Sequence, residues 1–473
     1  MEVIGRKEEL ELLKRVKESA SSSFIAVYGR RRVGKTFLIR NAFTNNFDFS
    51  VTGLFKVSLA QQLVNFHAAL LKFNPHAEVI EPAKDWFTAF QQLANLLEAG
   101  HYTGKKIIFL DELPWFDTPQ SGFISALEHF WNSWASARTD IVLIVCGSAA
   151  GWMISKLINN KGGLHNRVTN RIRLEPFTLK ECAEFLQSRR ANFDRYQVIQ
   201  LYMVIGGIPF YLEQVDGSQS AAQNINRLCF QKDGILRAEF DNLYRSLFEN
   251  AGKHIAIVEA LSKKTKGLTR SELIDEAKLP SGGSLTKILS ELEESGFIRK
   301  YTAYGNKEKN NLYQLIDFYS LFYLRFIRKS SVLDDNGWIN SLDSPAQRAW
   351  SGYSFEQVCL AHVKQIKQAL GISGVQTTTS AWVSNSEVGA QIDLLIDRRD
   401  HVINVCEMKF SLNAFTIDKK YAEELRNKIG IFTSEANTRK SIYLTMITTF
   451  GLTKNQYSMS LVQNDLTMDV LFE

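Results

Sequence analysis

The first third of the chain alternates short apolar runs with longer segments in which apolar residues recur at helical spacing. The runs are FIAVY at 24–28, IIFL at 107–110 and IVLIVC at 141–146. Apolar runs of this length are typical of strands buried on both faces, and the helical segments between them are typical of crossover helices. The pattern predicts an α/β core with a parallel sheet over residues 1–177.

The pattern then changes several times. Residues 178–250 keep only the helical period, around a Gly-Gly-Ile-Pro turn at 206–209, which predicts a helical lid subdomain. Residues 251–315 hold three helical segments and two short strand-like runs, the order of a winged helix. An aromatic-rich connector is predicted over 316–349, and a second α/β domain over 350–473.

Composition narrows the class of protein without deciding the function. With 473 residues, the chain is too long for one ordinary core, and 45% hydrophobic with 22% charged residues is a globular balance. The net charge of +6 permits nucleic-acid binding without requiring it. Five scattered cysteines without a CxxC pair indicate neither a disulfide framework nor a zinc site. The sequence shows neither a signal peptide nor an apolar run of bilayer length, so we expect a cytoplasmic protein with no membrane partner.

The first apolar run leads directly into a glycine-rich segment of the form GxxxxGKT. Its residues are Gly29, Arg30, Arg31, Arg32, Val33, Gly34, Lys35 and Thr36, and a helical pattern follows. Glycines allow the backbone to wrap phosphates, Lys35 would reach the β- and γ-phosphates, and Thr36 would ligate magnesium. A glycine-rich turn without a ligand is the alternative. The segment predicts ATP and Mg²⁺ as cofactors.

Polar residues close the next two buried runs. Asp111 would hold a magnesium-bound water, and Glu112 would polarise the water that attacks the γ-phosphate. Acidic residues after a strand also serve as helix caps. Ser148 could place its hydroxyl near the γ-phosphate, although a strand-end serine without a role is nearly as plausible.

These motifs together resemble the archaeal-type ATPase family, AAA-related P-loop proteins close to the STAND and origin-recognition clades. The resemblance is carried by IGRKE at 4–8, GRRRVGKT, FLDEL, VCGSAAGWM, NRVTNRIRLEPF and GGIPFYL. It implies that Gly5 and Arg6 contact the adenine side of the nucleotide and that Pro209 closes over it. It also places Arg167 and Arg171 where such ATPases carry an arginine finger, in the same chain or in a neighbouring copy of a homo-oligomer. A solvated basic face is the alternative.

The third helical stretch of the winged-helix segment is a candidate DNA-reading helix. Apolar residues at 285, 288, 289 and 292 leave Thr286, Lys287 and Ser290 on the outer face. Lysines that could contact phosphates flank it at 263, 264, 266, 300, 307 and 309. This favours DNA as the nucleic-acid partner. Winged helices also bind proteins, and three glutamates at 291, 293 and 294 would repel phosphate, so a protein partner stays open.

The C-terminal domain carries a second set of chemical groups. Asp393 lies in one apolar run, and Glu407-Met-Lys409 lies in the next. Side chains alternate between the two faces of a strand, so Glu407 and Lys409 lie on the same face of theirs. A hairpin between the two strands would bring Asp393 alongside. Two carboxylates can hold Mg²⁺ or Mn²⁺ while the lysine orients or helps deprotonate a water that attacks a phosphodiester. A solvated strand face is the alternative.

This arrangement is similar to that of PD-(D/E)XK nucleases, which have a restriction-endonuclease-like fold. Glu356, in the preceding helical segment, matches the additional acid that this family often supplies, whereas Ile392 replaces the usual proline before the first acid. The archaeal-type ATPases frequently carry such a C-terminal domain. Three functions therefore stay open: an ATP-regulated nuclease, a non-cutting nucleotide switch that binds a partner, and a sequence-specific DNA-binding ATPase.

Overall fold

The structure is a computed structural model that describes residues 3–73, 81–99, 104–159, 162–164, 166–305, 311–330, 335–384 and 389–473. The chain divides into two compact units. One contains Met1–Pro176 together with Ser290–Gly296, and the other contains Phe177–Leu289 together with Phe297–Glu473.

The first unit is built on a five-stranded sheet in which every pairing is parallel. The strands are β1 (Ser23–Tyr28), β2 (Phe49–Thr52), β3 (Lys106–Asp111), β4 (Ile141–Gly147) and β5 (Asn170–Arg173), in the order β2-β3-β4-β1-β5. The predicted α/β class with a parallel core is confirmed. Because β4 lies between β1 and β3, the carboxyl ends of these three strands meet at one edge of the sheet.

Helices flank this sheet. They are α1 (Lys7–Glu18), α2 (Lys35–Ala42), α3 (Leu59–Phe73), α4 (Trp86–Ala99), α5 (Phe123–Phe130) and α6 (Ala150–Trp152). An aromatic cluster joins three of them: the ring of Trp86 lies 5.6 Å from Phe66 and 5.0 Å from Phe123. Each such side chain stabilises the fold by about 1.5–3 kcal/mol when fully buried.

The second unit begins with helices only. They are α7 (Leu179–Ser188), α8 (Arg195–Ile205), α9 (Pro209–Leu212), α10 (Ala221–Cys229), α11 (Glu239–Leu247) and α12 (Ala251–Ser262). Gly206, at φ 61°, ends α8, and Pro209 occupies the first turn of α9, where its missing N–H costs nothing. The Gly207 carbonyl accepts a 2.6 Å hydrogen bond from the Phe177 N–H.

A small antiparallel sheet follows, with the order β6-β8-β7. The elements of this segment are β6 (Leu268–Thr269), α13 (Arg270–Ala277), α14 (Gly283–Glu294), β7 (Ile298–Tyr301) and β8 (Leu312–Leu315). Four helices come next, α15 (Phe318–Arg325), α16 (Gly337–Asn340), α17 (Pro345–Ala361) and α18 (Val363–Ala369). The segment predicted as a connector thus contains α15, whose buried Tyr319 donates to the carbonyl of Leu236 at 2.6 Å.

The C-terminal sheet is mixed. Its strands are β9 (Thr377–Val383), β10 (Gln391–Arg398), β11 (Val402–Lys409), β12 (Ser441–Thr448) and β13 (Asn464–Thr467), in the order β13-β12-β11-β10-β9. The pairings of β9 with β10 and of β10 with β11 are antiparallel, and the other two are parallel. Two further helices are α19 (Lys419–Ala436) and α20 (Gln456–Leu461). Leu395, Val405 and Phe432 belong to the core between this sheet and α19.

The five cysteines are buried thiols. In the described ranges, every helix is too short or too polar to cross a bilayer.

The turn at Gly207 gives a test of the fold. A Cβ at this position would lie 1.9 Å from the carbonyl oxygen of Phe177. We therefore expect Gly207→Ala to lower the free energy of unfolding by about 1–3 kcal/mol through overpacking. Gly252→Ala is the matched control, because a Cβ there meets nothing within 4 Å, and alanine in α12 should add about 0.5–1 kcal/mol. Calorimetric melting of both variants would measure this, and equal melting temperatures would contradict it.

Candidate nucleotide and metal sites

The glycine-rich loop connects β1 to α2 in left-handed backbone conformations. Gly34 has φ 90° and Gly29 has φ 143°, and a Cβ on Gly29 would lie 2.3 Å from the carbonyl oxygen of Leu174. Arg32 also has a positive φ of 70°. Such turns point backbone N–H groups into a concavity, at the positive end of α2, and suit an anion. The predicted GxxxxGKT segment therefore lies in the strand–loop–helix setting that it needs.

Lys35 is buried inside this loop. Its Nζ donates to the carbonyl oxygens of Gly29 at 3.1 Å and Arg30 at 2.8 Å. Burial lowers the pKa of Lys35, because the charged amine loses hydration. The amine is thus confined to the concavity formed by its own loop.

Thr36 and Asp111, the two residues predicted to serve a metal ion in the ATPase domain, lie side by side. The Thr36 hydroxyl lies 3.2 Å from Oδ1 and 3.1 Å from Oδ2 of Asp111. Burial and, after it, the neighbouring Glu112 raise the pKa of Asp111. A hydroxyl and a carboxylate are the oxygen donors that Mg²⁺ accepts, so these residues fit that ion.

Glu112 and Ser148 form a pair of hydrogen bonds across the carboxyl ends of β3 and β4. The Ser148 hydroxyl donates to Oε1 at 2.6 Å, and its backbone N–H donates to Oε2 at 3.1 Å. Glu112 itself has a left-handed backbone, at φ 49°. The structure therefore joins two residues that the sequence analysis assigned to separate roles.

The residues assigned by resemblance have different surroundings. Arg6 is buried and donates to the carbonyl oxygen of Glu175 at 2.6 Å and, more weakly, to that of Val33 at 3.4 Å. Gly5, before it, has φ 64°. Arg167 and Arg171 are exposed, and Arg171 pairs with Ala26 on the edge strand β5.

The candidate DNA-reading residues lie on α14. Thr286, Lys287 and Ser290 are exposed, and the four apolar residues at 285, 288, 289 and 292 are buried, as the spacing predicts. The Thr286 hydroxyl accepts a 3.0 Å hydrogen bond from Arg270. Lys263 and Lys264 are ion-paired with glutamates, and the lysines at 307 and 309 lie outside the described residues.

The C-terminal strands bring the predicted acids together. In the antiparallel register of β10 with β11, Leu394 faces Cys406, and continuing it by one residue places Asp393 opposite Glu407. On its other side, β10 is bulged, because Ile392 pairs with Trp382 and Leu395 with Ser380. Asp393 thus lies within a bulge, a feature that re-aims side chains and recurs next to active sites. Its Oδ1 accepts a 2.6 Å hydrogen bond from Gln391.

Glu407 is a buried carboxylate with three polar partners. Its Oε1 lies 3.0 Å from the Lys409 amine and accepts from the Tyr421 hydroxyl at 2.8 Å, and its Oε2 lies 2.7 Å from the Lys428 amine. Burial alone would raise the pKa of Glu407, but Lys428 and Lys409 outweigh it and hold the pKa below its usual value. Tyr421 and Lys428 were missed from the sequence. Their spacing of seven on α19 was the available signal, since it puts both on one helix face.

Glu356, on α17, lies in the electrostatic field of the same groups. Burial, then Asp393, raise its pKa to about 8, against the opposing effect of Lys409. Among the described residues, no group of three or more His, Cys, Asp and Glu side chains could hold a metal ion. Asp393 and Glu407 still fit Mg²⁺ as a pair, because that ion is commonly bound through one or two carboxylates and keeps several waters.

The raised pKa of Glu356 predicts a pH-dependent stability. The folded protein keeps this proton up to about pH 8, whereas the unfolded chain releases it near pH 4.5. Stability is therefore lost as pH rises through this window, by at most about 5 kcal/mol. We expect Glu356→Gln to remove that loss, so that its stability relative to the wild type increases with pH.

Urea unfolding at several pH values in EDTA would measure the difference. Glu424→Gln, the same change at an exposed position of α19, corrects for the loss of one negative charge. A difference between Glu356→Gln and wild type that stays constant from pH 4.5 to 8 would contradict the assignment.

Comparison with known proteins identifies the first of these sites. Residues 4–215 match the family described as an ATPase domain predominantly from Archaea. An uncharacterized protein of Methanocaldococcus jannaschii is 27% identical over 365 residues, 75% of this chain and 76% of that protein. An uncharacterized ATP-binding protein of the same organism is 50% identical over 42 residues, 9% of this chain and 71% of that protein.

Solved structures show similarity at a lower level. The Walker-type ATPase of Pyrococcus abyssi aligns at a TM-score of 0.48 and 18% identity, over 68% of this chain and 96% of that one. The ORC2 protein of Aeropyrum pernix aligns at a TM-score of 0.40 and 15% identity, over 68% and 93%. The family match and the ATP-binding relative, together with the loop at 29–36, show that this chain belongs to the P-loop ATPase family found predominantly in Archaea.

Proposed function

We propose that the protein is an ATP-regulated, metal-dependent nuclease that acts on DNA. The observation that carries this proposal is the Leu394–Cys406 register of two adjacent strands, which one residue further aligns Asp393 with Glu407. Lys409 lies 3.0 Å from the Glu407 carboxylate. A buried carboxylate in a core strand is costly without a purpose. A phosphodiester-cleaving site supplies one.

In the ATPase domain, Thr36 and Asp111 would hold Mg²⁺, which neutralises charge on the β- and γ-phosphates. Lys35 would exchange its two carbonyl partners for phosphate oxygens. Glu112 would orient the attacking water, and its two hydrogen bonds from Ser148 keep its carboxylate in one position. Arg6 ties the N-terminal segment to the loop, in keeping with the adenine-side role assigned to Gly5 and Arg6.

In the C-terminal domain, Asp393 and Glu407 would hold a divalent cation, Mg²⁺ or Mn²⁺, which supplies Lewis acidity toward a phosphodiester. Lys428 keeps Glu407 ionised, and this leaves Lys409 to orient a water. Glu356, whose pKa burial raises to about 8 in the site without a cation, would supply a group that exchanges a proton with a bound water or a leaving oxygen.

The middle segment would dock the DNA. Its element order, three helices interrupted by β6 and followed by the β7–β8 hairpin, supports a winged helix. The exposed Thr286, Lys287 and Ser290 on α14 would meet base edges or phosphates.

A second candidate is a nucleotide switch that does not cut. It is favoured by the occupation of both Glu407 oxygens by lysine and tyrosine groups, since a carboxylate so held is already neutralised. In that case the C-terminal domain would bind a partner, and the ATPase domain would control when it does.

Lys409→Ala separates the two candidates. We expect it to abolish cleavage of supercoiled plasmid and linear duplex in Mg²⁺ or Mn²⁺, because the water loses the group that orients it, and to leave ATP hydrolysis unchanged. Lys35→Ala should abolish ATP hydrolysis and show whether nucleotide controls cleavage. Lys420→Ala removes a lysine that is 87% exposed on α19 and is the matched control. Absence of cleavage by the wild-type protein under every condition, with ATP hydrolysis intact, would leave the switch.

Arg171 tests whether the ATPase works as an assembly. If Arg171 of one copy reaches the γ-phosphate of another, the rate of ATP hydrolysis per chain should fall on dilution, and Arg171→Ala should lower it at every concentration. Mixing Arg171→Ala with Lys35→Ala should then restore part of the activity, because each supplies what the other lacks. An inactive Arg171→Ala with a dilution-independent wild-type rate would instead assign a finger within one chain.

A further inference from the structure

A cavity of about 600 Å³ opens within the second unit, beside the candidate cleavage site. One wall is the segment from Arg299 to Gly305, at the end of β7, and the other is formed by β9 and β10. Asp393 lies in this lining. The cavity therefore touches one of the two carboxylates that would hold the metal, and its size is within the usual range for ligand sites, about 300–1,000 Å³.

The lining combines cationic, aromatic and hydroxyl groups with the acids Asp393 and Asp397. Arg299 and Lys300 supply positive charge, Tyr301 and Tyr304 supply rings, and Thr379 and Ser380 supply hydroxyls. The Arg299 guanidinium lies 5.3 Å from the centre of the Tyr301 ring, and its Nε donates to Gln314 at 2.8 Å. The cation and the ring are thus held in place.

The side chain of Ser380 is a second indication, separate from the lining charges and rings, that the cavity binds a ligand. Its hydroxyl is buried and has no hydrogen-bond partner among the described residues. A buried hydroxyl without a partner destabilises the fold, so such groups are usually satisfied by water or a ligand. Here the hydroxyl belongs to a residue that lines the cavity and pairs with Leu395, two residues from Asp393.

We infer that this cavity binds an unpaired nucleotide of the DNA strand that the C-terminal site acts on. The inference rests on the proposed function and adds the class of substrate. Cations fit a phosphate, tyrosine rings fit a base, and hydroxyls fit the polar edge of a base or a sugar. A nucleotide in a paired duplex is stacked on both sides and cannot enter a cavity, so the substrate is a strand with single-stranded character, such as an overhang or flap.

The test measures binding in EDTA, so that cleavage plays no part. The full-length protein is titrated against a fluorescent DNA hairpin with a 3′ overhang of about six nucleotides, within the site size of single-strand binding modules, and against the same hairpin with a blunt end. Fluorescence anisotropy should show at least about fivefold tighter binding of the overhang hairpin, which is the lower end of what one stacked base contributes. Equal affinity for both hairpins overturns the inference.

Ser380→Ala tests the cavity itself. Loss of one hydrogen bond should weaken binding of the overhang hairpin by about two- to tenfold and leave the blunt hairpin unchanged, while the melting temperature stays equal or rises because a buried orphan hydroxyl is gone. Ser434→Ala, at an exposed position of α19, is the control. Lys300→Gln, an exposed change, should reduce the salt dependence of binding by the equivalent of about one phosphate contact. Unchanged binding by both variants overturns the inference.

Two further readouts separate the ligand sources and the two proposals. Displacement of the overhang hairpin by free thymidine monophosphate would show that a mononucleotide suffices, and no displacement would show that the strand is required. Overhang-selective binding without any cleavage in Mg²⁺ upholds the cavity and rejects the nuclease. The opposite result is also possible: the two hairpins bind with equal affinity, and Ser380→Ala leaves cleavage unchanged. That result upholds the proposed nuclease activity and rejects the proposed nucleotide site in the cavity.

Discussion

Charge buried at the ends of core strands is the constraint on which both candidate sites depend. An ion removed from water destabilises a protein by several kcal/mol unless it gains a partner, and breaking such a pair costs about 3–5 kcal/mol. Glu407 meets this constraint with two lysines and a tyrosine. Lys35 meets it with the carbonyls of its own loop, and Asp111 meets it with Thr36.

The two sites resolve the constraint in different ways. In the ATPase domain, every group that neutralises charge comes from the loop or from a strand end that the parallel sheet brings to one edge. In the C-terminal domain, the neutralising lysine Lys428 comes from a helix packed on the sheet. The first site is thus fixed by topology alone, whereas the second depends on how α19 packs.

Almost all of the nucleotide site could be predicted from the sequence, because its residues are consecutive or directly follow an apolar run. Eight consecutive residues define the loop, and Asp111, Glu112 and Ser148 each end an apolar run, so strand order was not needed to find them. Period two was also enough to place Glu407 and Lys409 on one face. The joining of Glu112 to Ser148 by two hydrogen bonds could not be predicted, because it depends on β3 and β4 being neighbours.

What the sequence missed depends on long-range packing or on irregular backbone. Tyr421 and Lys428 become partners of Glu407 only once α19 lies against β11. Their spacing of seven residues predicts that they share a helix face, but it does not predict which strand that face packs against. The bulge at Asp393 is one extra residue in a strand whose pattern looks regular. The predicted connector opens with an aromatic-rich run whose pattern does not identify a helix, and this run forms the buried helix α15.

The segment after β7 has one more role, which concerns β9. This strand lies at the end of the C-terminal sheet, where a row of N–H and C=O groups would face solvent. The Tyr304 N–H donates to the Ala381 carbonyl at 2.7 Å, and the Tyr304 ring lies 5.5 Å from Phe432. An open sheet edge is a template on which strands of other molecules can assemble. The middle segment therefore also guards the C-terminal domain against aggregation, and a C-terminal domain cut free of it would be prone to self-association.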